Sequence, residues 1–140
     1  MHNRRSSVSY LEGMVRRVTT KARGPKGTAD RYFSLLVRAY ADNRCENCGT
    51  TTGLTCAHIM SRTYSQTRCD FDNAFCLCFS CHEDFTKRPI VFGEFVREHR
   101  TAEQIERITS LARKTDRVWT QDDWREIARR LSAEWKAWNR

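Results

Sequence analysis

Residues 45–48 read CENC and residues 78–82 read CFSCH, with 29 residues between the two pairs of cysteines. Two Cys-x-x-Cys pairs supply the four thiolates that a closed, tetrahedral zinc site takes. Their separation exceeds the roughly 15–20 residues of a common zinc-finger spacing, so the intervening segment must have structure of its own. The sequence therefore predicts a zinc-stapled unit. Its structural zinc ligands are expected to be Cys45, Cys48, Cys78 and Cys81.

The charge of the chain favours a polyanionic partner. The 140 residues suffice for one domain and carry a net charge of +8, with a pI near 9.4. The first 27 residues are the most basic, with seven Lys or Arg residues against Glu12 alone. Nucleic acid is the simplest partner for such a chain, although a basic surface can also serve solubility alone.

The cysteines and the hydropathy pattern bear on the compartment. No apolar segment at the N-terminus resembles a signal peptide, and no stretch approaches the ~18 apolar residues of a membrane span. We therefore expect an intracellular protein without a membrane partner, in which clustered cysteines bind metal. Outside the zinc ligands, Cys56 and Cys76 are expected to be small buried side chains and Cys69 a partly exposed thiol.

Apolar periodicity predicts two helices before the cysteine segment. The first covers residues 6–22. After a break at residues 23–27, the second is expected to begin with Thr28 as its cap and to run to about Asn43, with Asp30 in its first turn.

The rest of the chain is expected to form a short strand, turns and helices. A strand over residues 54–59 precedes a polar excursion over residues 60–68, and a helix begins near Phe79 and ends before Pro89. Further helices cover residues 90–99 and then begin after caps at Thr101 and Thr120. The last helix has an apolar stripe rich in tryptophan, which at helical spacing favours core packing over base stacking.

These patterns predict an α+β fold with a small zinc-stapled unit between helical regions. The predicted division is a basic N-terminal helical region over residues 1–43, a central unit over residues 44–88 and a C-terminal helical region over residues 89–140.

The order of the central motifs resembles the HNH endonucleases, also called His-Me finger or ββα-metal nucleases, in their zinc-stapled form. The strings AHIMSR at residues 57–62 and TRCDFDN at residues 67–73 resemble bacteriophage members in particular. The resemblance covers roughly residues 44–88, where it implies a ββα-metal finger. The residues that carry it are Cys45, Cys48, His58, Asn73, Cys78, Cys81 and His82.

The resemblance implies a metal-dependent DNA endonuclease that nicks or cuts phosphodiester bonds. Hydrolysis requires a base for the attacking water and positive charge for the phosphate and the leaving oxygen. His58 falls at the position of the family's general base, and a neutral histidine suits that role near pH 7. His82 falls at the position of a ligand of the catalytic cation, Mg²⁺ or Mn²⁺, and Asn73 at that of the asparagine that holds the loop between the strands.

Ala57 departs from the family pattern. Many members place Asp or His immediately before the base, as a second ligand of the catalytic metal, and alanine has no ligand atom. The cation would then depend on His82, water, DNA phosphate and a further carboxylate, which predicts weak affinity and a need for millimolar Mg²⁺ or Mn²⁺. The carboxylates near the motif are Asp70, Asp72, Glu83 and Asp84.

Each candidate also has a structural interpretation. His58 could be a strand-end histidine bonded to the backbone, His82 could replace a cysteine at the zinc, and Asn73 could cap a turn. Four basic side chains are candidates for phosphate contact, although each could be an ordinary surface charge. They are Arg62, Arg68, Lys87 and Arg88.

Two other functions fit parts of the sequence. A catalytically inactive zinc-stapled DNA-binding module is favoured by Ala57. The tryptophan-rich C-terminus could mediate a homodimer, which would permit a nuclease to make double-strand cuts. It could instead belong to a helical adaptor that docks a partner, for example phage replication or packaging proteins. Neither the module nor the adaptor needs both His58 and His82, so the endonuclease is the leading hypothesis, acting in the host cytoplasm if a phage encodes it.

Overall fold

The computed structural model describes residues 22–140, which form an α+β fold with five α-helices and a two-stranded antiparallel sheet. The helix predicted over residues 6–22 lies, except for its last residue, outside this range. In chain order the elements are α1 (Gly24–Tyr40), β1 (Leu54–His58), a 3₁₀ helix (Phe71–Asn73), β2 (Ala74–Cys78), α2 (Phe79–Lys87), α3 (Pro89–His99), α4 (Ala102–Arg113) and α5 (Gln121–Trp138).

Helix α1 begins earlier than the sequence predicts. It starts at Gly24, with Pro25 in its first turn. Proline fits there because the N–H groups of a first turn have no intrahelical acceptor. Of the predicted break over residues 23–27, only Arg23 lies outside the helix, and the rest of the break is wrong. Thr28 is not the cap, since its hydroxyl donates to the Gly24 carbonyl inside the helix.

The end of α1 also differs from the prediction. The helix stops at Tyr40, and Asp42 and Asn43 take left-handed backbone conformations that lead the chain into the cysteine segment. With the earlier start, Asp30 lies beyond the first turn of α1. Asp30 therefore does not stabilise the helix N-terminus. Instead it pairs with Arg68, which lies in the segment between the two strands.

Strand β2 lies between two apolar clusters. It pairs with β1 so that Cys76 faces Cys56, and all five of its residues are buried. A short apolar run of this kind is expected where both faces of a strand are covered. Ala74 and Cys76 pack with side chains of α1 and α5, whereas Phe75 and Leu77 pack with side chains of α2 and α3.

The predicted helix boundaries after β2 are largely confirmed. Helix α2 begins at Phe79 and ends before Pro89, which opens α3. Capping boxes open the last two helices, with Thr101 as the cap of α4 and Thr120 as the cap of α5. These local signals work because each cap satisfies backbone N–H groups within a few residues of itself.

The tryptophan-containing stripe of α5 is mainly core. Trp124 and Leu131 are buried against α1, as the helical spacing predicts, whereas Trp138 at the end of the stripe is exposed. Within residues 22–140 no helix combines the length and the apolar character that a bilayer crossing requires.

Candidate functional site

The four predicted zinc ligands converge on one point. The Sγ atoms of Cys45, Cys48, Cys78 and Cys81 all lie within 4.8 Å of one another. The Sγ atoms of Cys48 and Cys78 are 3.7 Å apart. A tetrahedron with Zn–S bonds of about 2.3 Å has sulfur–sulfur edges of roughly 3.8 Å, so the Cys48–Cys78 distance matches zinc and the four sulfurs together could hold one such ion. His82 is not a member of this cluster.

Hydrogen bonds prepare the sulfurs for a metal. In each pair the N–H of the second cysteine donates to the first, Cys48 to Cys45 and Cys81 to Cys78, at 3.4 Å. Burial opposes ionisation of Cys45, but backbone N–H groups, chiefly that of Cys48, outweigh it and lower the pKa of Cys45 to about 6. Asn47 donates to Cys81 at 3.2 Å. Burial and the neighbouring cysteines nonetheless raise the pKa of Cys81 to about 12, so in the absence of a metal ion the donors favour the thiolate form at Cys45.

His58, the last residue of β1, is oriented by the backbone. Its Nε2 atom lies 2.8 Å from the carbonyl oxygen of Arg68. A carbonyl can only accept, so Nε2 carries the proton and Nδ1 of the neutral ring keeps its lone pair. Burial lowers the pKa of His58 to about 4, so the ring is neutral at pH 7. The backbone bond of the structural interpretation is therefore present, and it leaves Nδ1 as a proton acceptor.

The hydrogen bonds of His82, in the first turn of α2, define the opposite tautomer. Its Nδ1 atom lies 2.9 Å from the hydroxyl of Thr55, which also lies 2.8 Å from the Leu77 carbonyl. The single hydroxyl proton must go to the carbonyl, so the Nδ1–H of His82 donates to Thr55. Nε2 then keeps its lone pair for a metal ion, and burial lowers the pKa of His82, which favours this neutral form.

Asn73 holds the segment between the strands. It is 0% exposed and precedes β2. Its Oδ1 accepts from the Met60 N–H at 2.7 Å, and its Nδ2 donates to the carbonyls of Met60 at 3.1 Å and Thr67 at 2.9 Å. One amide thus closes the loop over residues 60–67, and the carbonyl that orients His58 belongs to the next residue.

We expect Asn73→Ala to lower the free energy of unfolding by about 2–4 kcal/mol, because it leaves buried backbone groups without partners. Urea denaturation measures the change. The matched control is Asn139→Ala at the exposed end of α5. This substitution removes one hydrogen bond, from the side-chain amide of Asn139 to the Trp135 carbonyl. Equal stabilities of the two variants would contradict the loop-closing role.

Arg68 does not lie where the prediction places it. It is 7% exposed, and its Nε and Nη2 atoms donate to the two carboxylate oxygens of Asp30 at 2.8 and 2.6 Å. Its Nη1 atom donates to the carbonyl of Arg62 at 2.8 Å. With its guanidinium in the interior and bound on all three nitrogens, Arg68 supports the fold, and the predicted phosphate contact is corrected.

The other predicted phosphate contacts differ in exposure. Arg62 is partly buried, with Nη1 at 3.5 Å from Asp30. Lys87 and Arg88, at the end of α2, are exposed and pair with acidic residues one turn earlier at 3.3 and 2.7 Å. Exposed pairs of this type contribute little energy, so Lys87 and Arg88 can exchange their partners for a phosphate.

The structure shows few protein ligands for a second metal ion. Apart from the four cysteines, residues 22–140 contain no group of three His, Cys, Asp or Glu side chains close enough to share an ion. Ala57 is 1% exposed and belongs to the apolar cluster of Phe75 and Leu77, so a carboxylate there would be buried among apolar side chains. The nearby carboxylates of Asp70, Asp72, Glu83 and Asp84 all have basic partners.

The C-terminal region supports the site in a way that sequence reasoning missed. Arg107 of α4 binds both Asp70 and Asp72, at 2.7 and 2.8 Å. Arg100, just before α4, donates to the Ala74 carbonyl at 2.8 Å and lies 4.1 Å above the Phe75 ring. The turn that precedes β2 is thus fixed from outside the central unit. Basic residues on an exposed helix give no sequence signal of such contacts.

Comparison with known proteins found no family model, curated protein or solved structure that matches the chain. The site's own geometry is therefore the basis for a function. Four sulfurs lie within 4.8 Å of one another and could hold a metal ion such as zinc, and hydrogen bonds fix two neutral imidazoles in opposite tautomers, with Nδ1 of His58 and Nε2 of His82 as the acceptors.

Proposed function

We propose that the chain is a metal-dependent DNA endonuclease of the HNH, or ββα-metal, type, with β1, β2 and α2 as the finger. The observation that carries the proposal is the hydrogen bond from His58 Nε2 to the Arg68 carbonyl. It gives the ring one tautomer and one orientation, with Nδ1 as the acceptor. A general base needs a neutral ring in a fixed position.

In the proposed reaction, Nδ1 of His58 accepts the proton of the water that attacks phosphorus. The imidazolium that forms keeps its Nε2–H bond to the Arg68 carbonyl, which stabilises the new charge. A ring buried in the free protein is a weak base, but a bound phosphate beside it favours the protonated form and strengthens it. The negative substrate therefore raises the proton affinity of His58 when it is needed.

His82 is the proposed ligand of the catalytic Mg²⁺ or Mn²⁺. When bound, the cation supplies positive charge to the phosphate and to the departing 3′ oxygen. Thr55 holds the ring of His82 so that Nε2 keeps a lone pair. With Ala57 in place of an acidic neighbour, most remaining ligands come from water and DNA, which predicts weak binding in the absence of DNA.

The zinc site has a geometric role in this proposal. Strand β2 connects Asn73 to Cys78, and Cys78 caps α2, which carries His82. One zinc ion bound by the four sulfurs therefore fixes the strand and the helix that support the catalytic residues. Zinc thiolates persist in a reducing compartment, which agrees with an intracellular site of action.

DNA is the proposed substrate because the chain carries a net charge of +8 and exposes Lys87 and Arg88 at the end of α2. Phosphate contacts of this kind position a duplex but carry little sequence information. We therefore propose cleavage directed by the DNA backbone, with at most modest sequence preference from the finger.

Plasmid nicking tests the proposal. Zinc-loaded protein is dialysed free of other metals, and supercoiled plasmid is incubated with a titration of Mg²⁺ or Mn²⁺. We expect nicked circles at millimolar concentrations of either cation and intact plasmid when both are omitted. Zinc content is measured in every sample, because a loss of zinc would remove activity for another reason.

The second candidate is a catalytically inactive, zinc-stapled DNA-binding module. The absence of a ligand atom at Ala57 and of a second group of metal-binding side chains among residues 22–140 favours it. Fluorescence anisotropy with labelled duplex DNA measures binding, and a comparison of binding with nicking separates the two candidates. Binding without nicking at every Mg²⁺ and Mn²⁺ concentration would support the module and contradict the endonuclease.

A further inference from the structure

We infer that Asp30 of α1 is a positioning residue for His58 and acts through Arg68. The catalytic part of this role rests on the proposed function, because it requires His58 to be the general base. Its structural part, control of the His58 tautomer, can be measured without any nuclease activity. It assigns a role at the site to a helix that lies outside the segment resembling HNH proteins.

Asp30 and Arg68 form an ion pair. Both oxygens of Asp30 accept from Arg68, in a two-point arrangement that fixes the guanidinium in the plane of the carboxylate. Asp30 also approaches Arg62 at 3.5 Å. The pair is largely buried, so if one partner is removed, water cannot adequately solvate the charge that remains. Arg68 is thereby fixed relative to α1.

Arg68 connects Asp30 to the histidine through its own backbone. The carbonyl that accepts from His58 Nε2 is the carbonyl of Arg68. The side chain of Arg68 is fixed to Asp30, and the preceding carbonyl, that of Thr67, is fixed by Asn73. Two independent elements thus hold the backbone at residues 67 and 68, and Asp30 provides one of them.

The ring of His58 also interacts with three neighbouring charges. Arg62 and Arg68 disfavour the protonated form of His58, whereas Asp30 favours it. Removal of the Asp30 carboxylate would take this acidic partner away from both arginines and would reduce the hydrogen bonds of the Arg68 side chain to the one from Nη1 to the Arg62 carbonyl. The acceptor carbonyl would lose one support, and Nε2–H would no longer be the required tautomer. A displaced base slows the chemical step more than it weakens substrate binding.

The test compares wild type with Asp30→Asn, Asp30→Ala and Asp122→Ala. Asp122→Ala removes the same charge from an exposed position on α5, where Asp122 pairs with Arg125. Long-range ¹H–¹⁵N NMR of the histidine rings reports which nitrogen of His58 is protonated. We expect Nε2–H alone in wild type and in Asp122→Ala, and a mixture of tautomers in both Asp30 variants.

Nicking kinetics give the functional readout. We expect the Asp30 variants to lose about ten-fold or more in kcat, with KM for DNA within about two-fold of wild type. Asp30→Asn keeps the shape of the side chain, so it decides the question if Asp30→Ala fails to fold. A folded Asp30→Asn protein with the wild-type tautomer and wild-type kcat would overturn the inference. If wild type never nicks DNA but the tautomer still depends on Asp30, the positioning role stands and the proposed function fails.

Discussion

Replacement of His58 with alanine is expected to reduce plasmid nicking by about 10²–10⁴-fold, the usual contribution of a general base. The zinc content should stay at the wild-type value, because His58 lies outside the four-sulfur cluster. His58→Gln serves as a second variant that keeps a polar side chain beside the Arg68 carbonyl. Nicking rates, zinc content and melting temperature are measured on the same preparations.

The chain offers a matched control for this substitution. His99 ends α3, where its Nδ1 lies 2.8 Å from the Phe95 carbonyl and its ring stacks on the Phe95 ring. His99→Ala should nick DNA at the wild-type rate, whereas His82→Ala should lose activity as His58→Ala does. Equal residual nicking by all three variants would point to a contaminating nuclease and would contradict the proposed role of His58.

The pH dependence of kcat/KM provides a further check on the base, because it reports the protonation of the free protein. Burial lowers the pKa of His58 to about 4. Nearly all of His58 is therefore in the active neutral form above about pH 6, and this fraction falls only as the pH drops through about 4. A histidine with an ordinary pKa of ~6.5 would be only about one-quarter neutral at pH 6. We expect kcat/KM to stay nearly constant from pH 7.5 to 6, and a four-fold fall would contradict the burial of the base.

Local chemistry explains why much of the central unit and of the C-terminal helices could be predicted. Two Cys-x-x-Cys pairs specify their ligand by the identity and spacing of side chains, and the capping boxes of α4 and α5 act within one turn. The apolar run of β2 indicates burial for a similar reason, because the hydrophobicity of each side chain alone favours a buried position. None of these signals requires knowledge of a distant partner.

The errors have a common physical origin in tertiary contacts. Arg68 follows Thr67 and precedes Cys69 in a polar stretch that gives no sign of burial, and its partner Asp30 is 38 positions away. Asp30 was expected in a helix first turn because the sequence around Pro25 reads equally well as a break or as a helix start. Misplacing the start of α1 therefore also concealed the pairing of Asp30 with Arg68.

Loss of one zinc ligand should have the largest effect on the fold. Cys45→Ser and Cys81→Ser are each expected to abolish stoichiometric zinc binding and to unfold the central unit. Structural zinc contributes roughly 10–16 kcal/mol in zinc-finger peptides, as much as the entire stability of an ordinary domain. The damage should spread, because β2 is shared by both apolar clusters and leads directly to Cys78. Elemental analysis and circular dichroism melting measure the two effects.

Cys69→Ala is the control, since Cys69 lies outside the four-sulfur cluster and burial raises the pKa of its thiol to about 12. It should keep its zinc and its cooperative melting transition. Zinc loss and His58→Ala should both stop nicking, but only the first should also abolish the fold, which separates the geometric role of zinc from the chemical role of the histidine. A Cys45→Ser protein with wild-type zinc content and an unchanged melting temperature would show that the four-thiolate assignment is wrong. The catalytic geometry would then need another support.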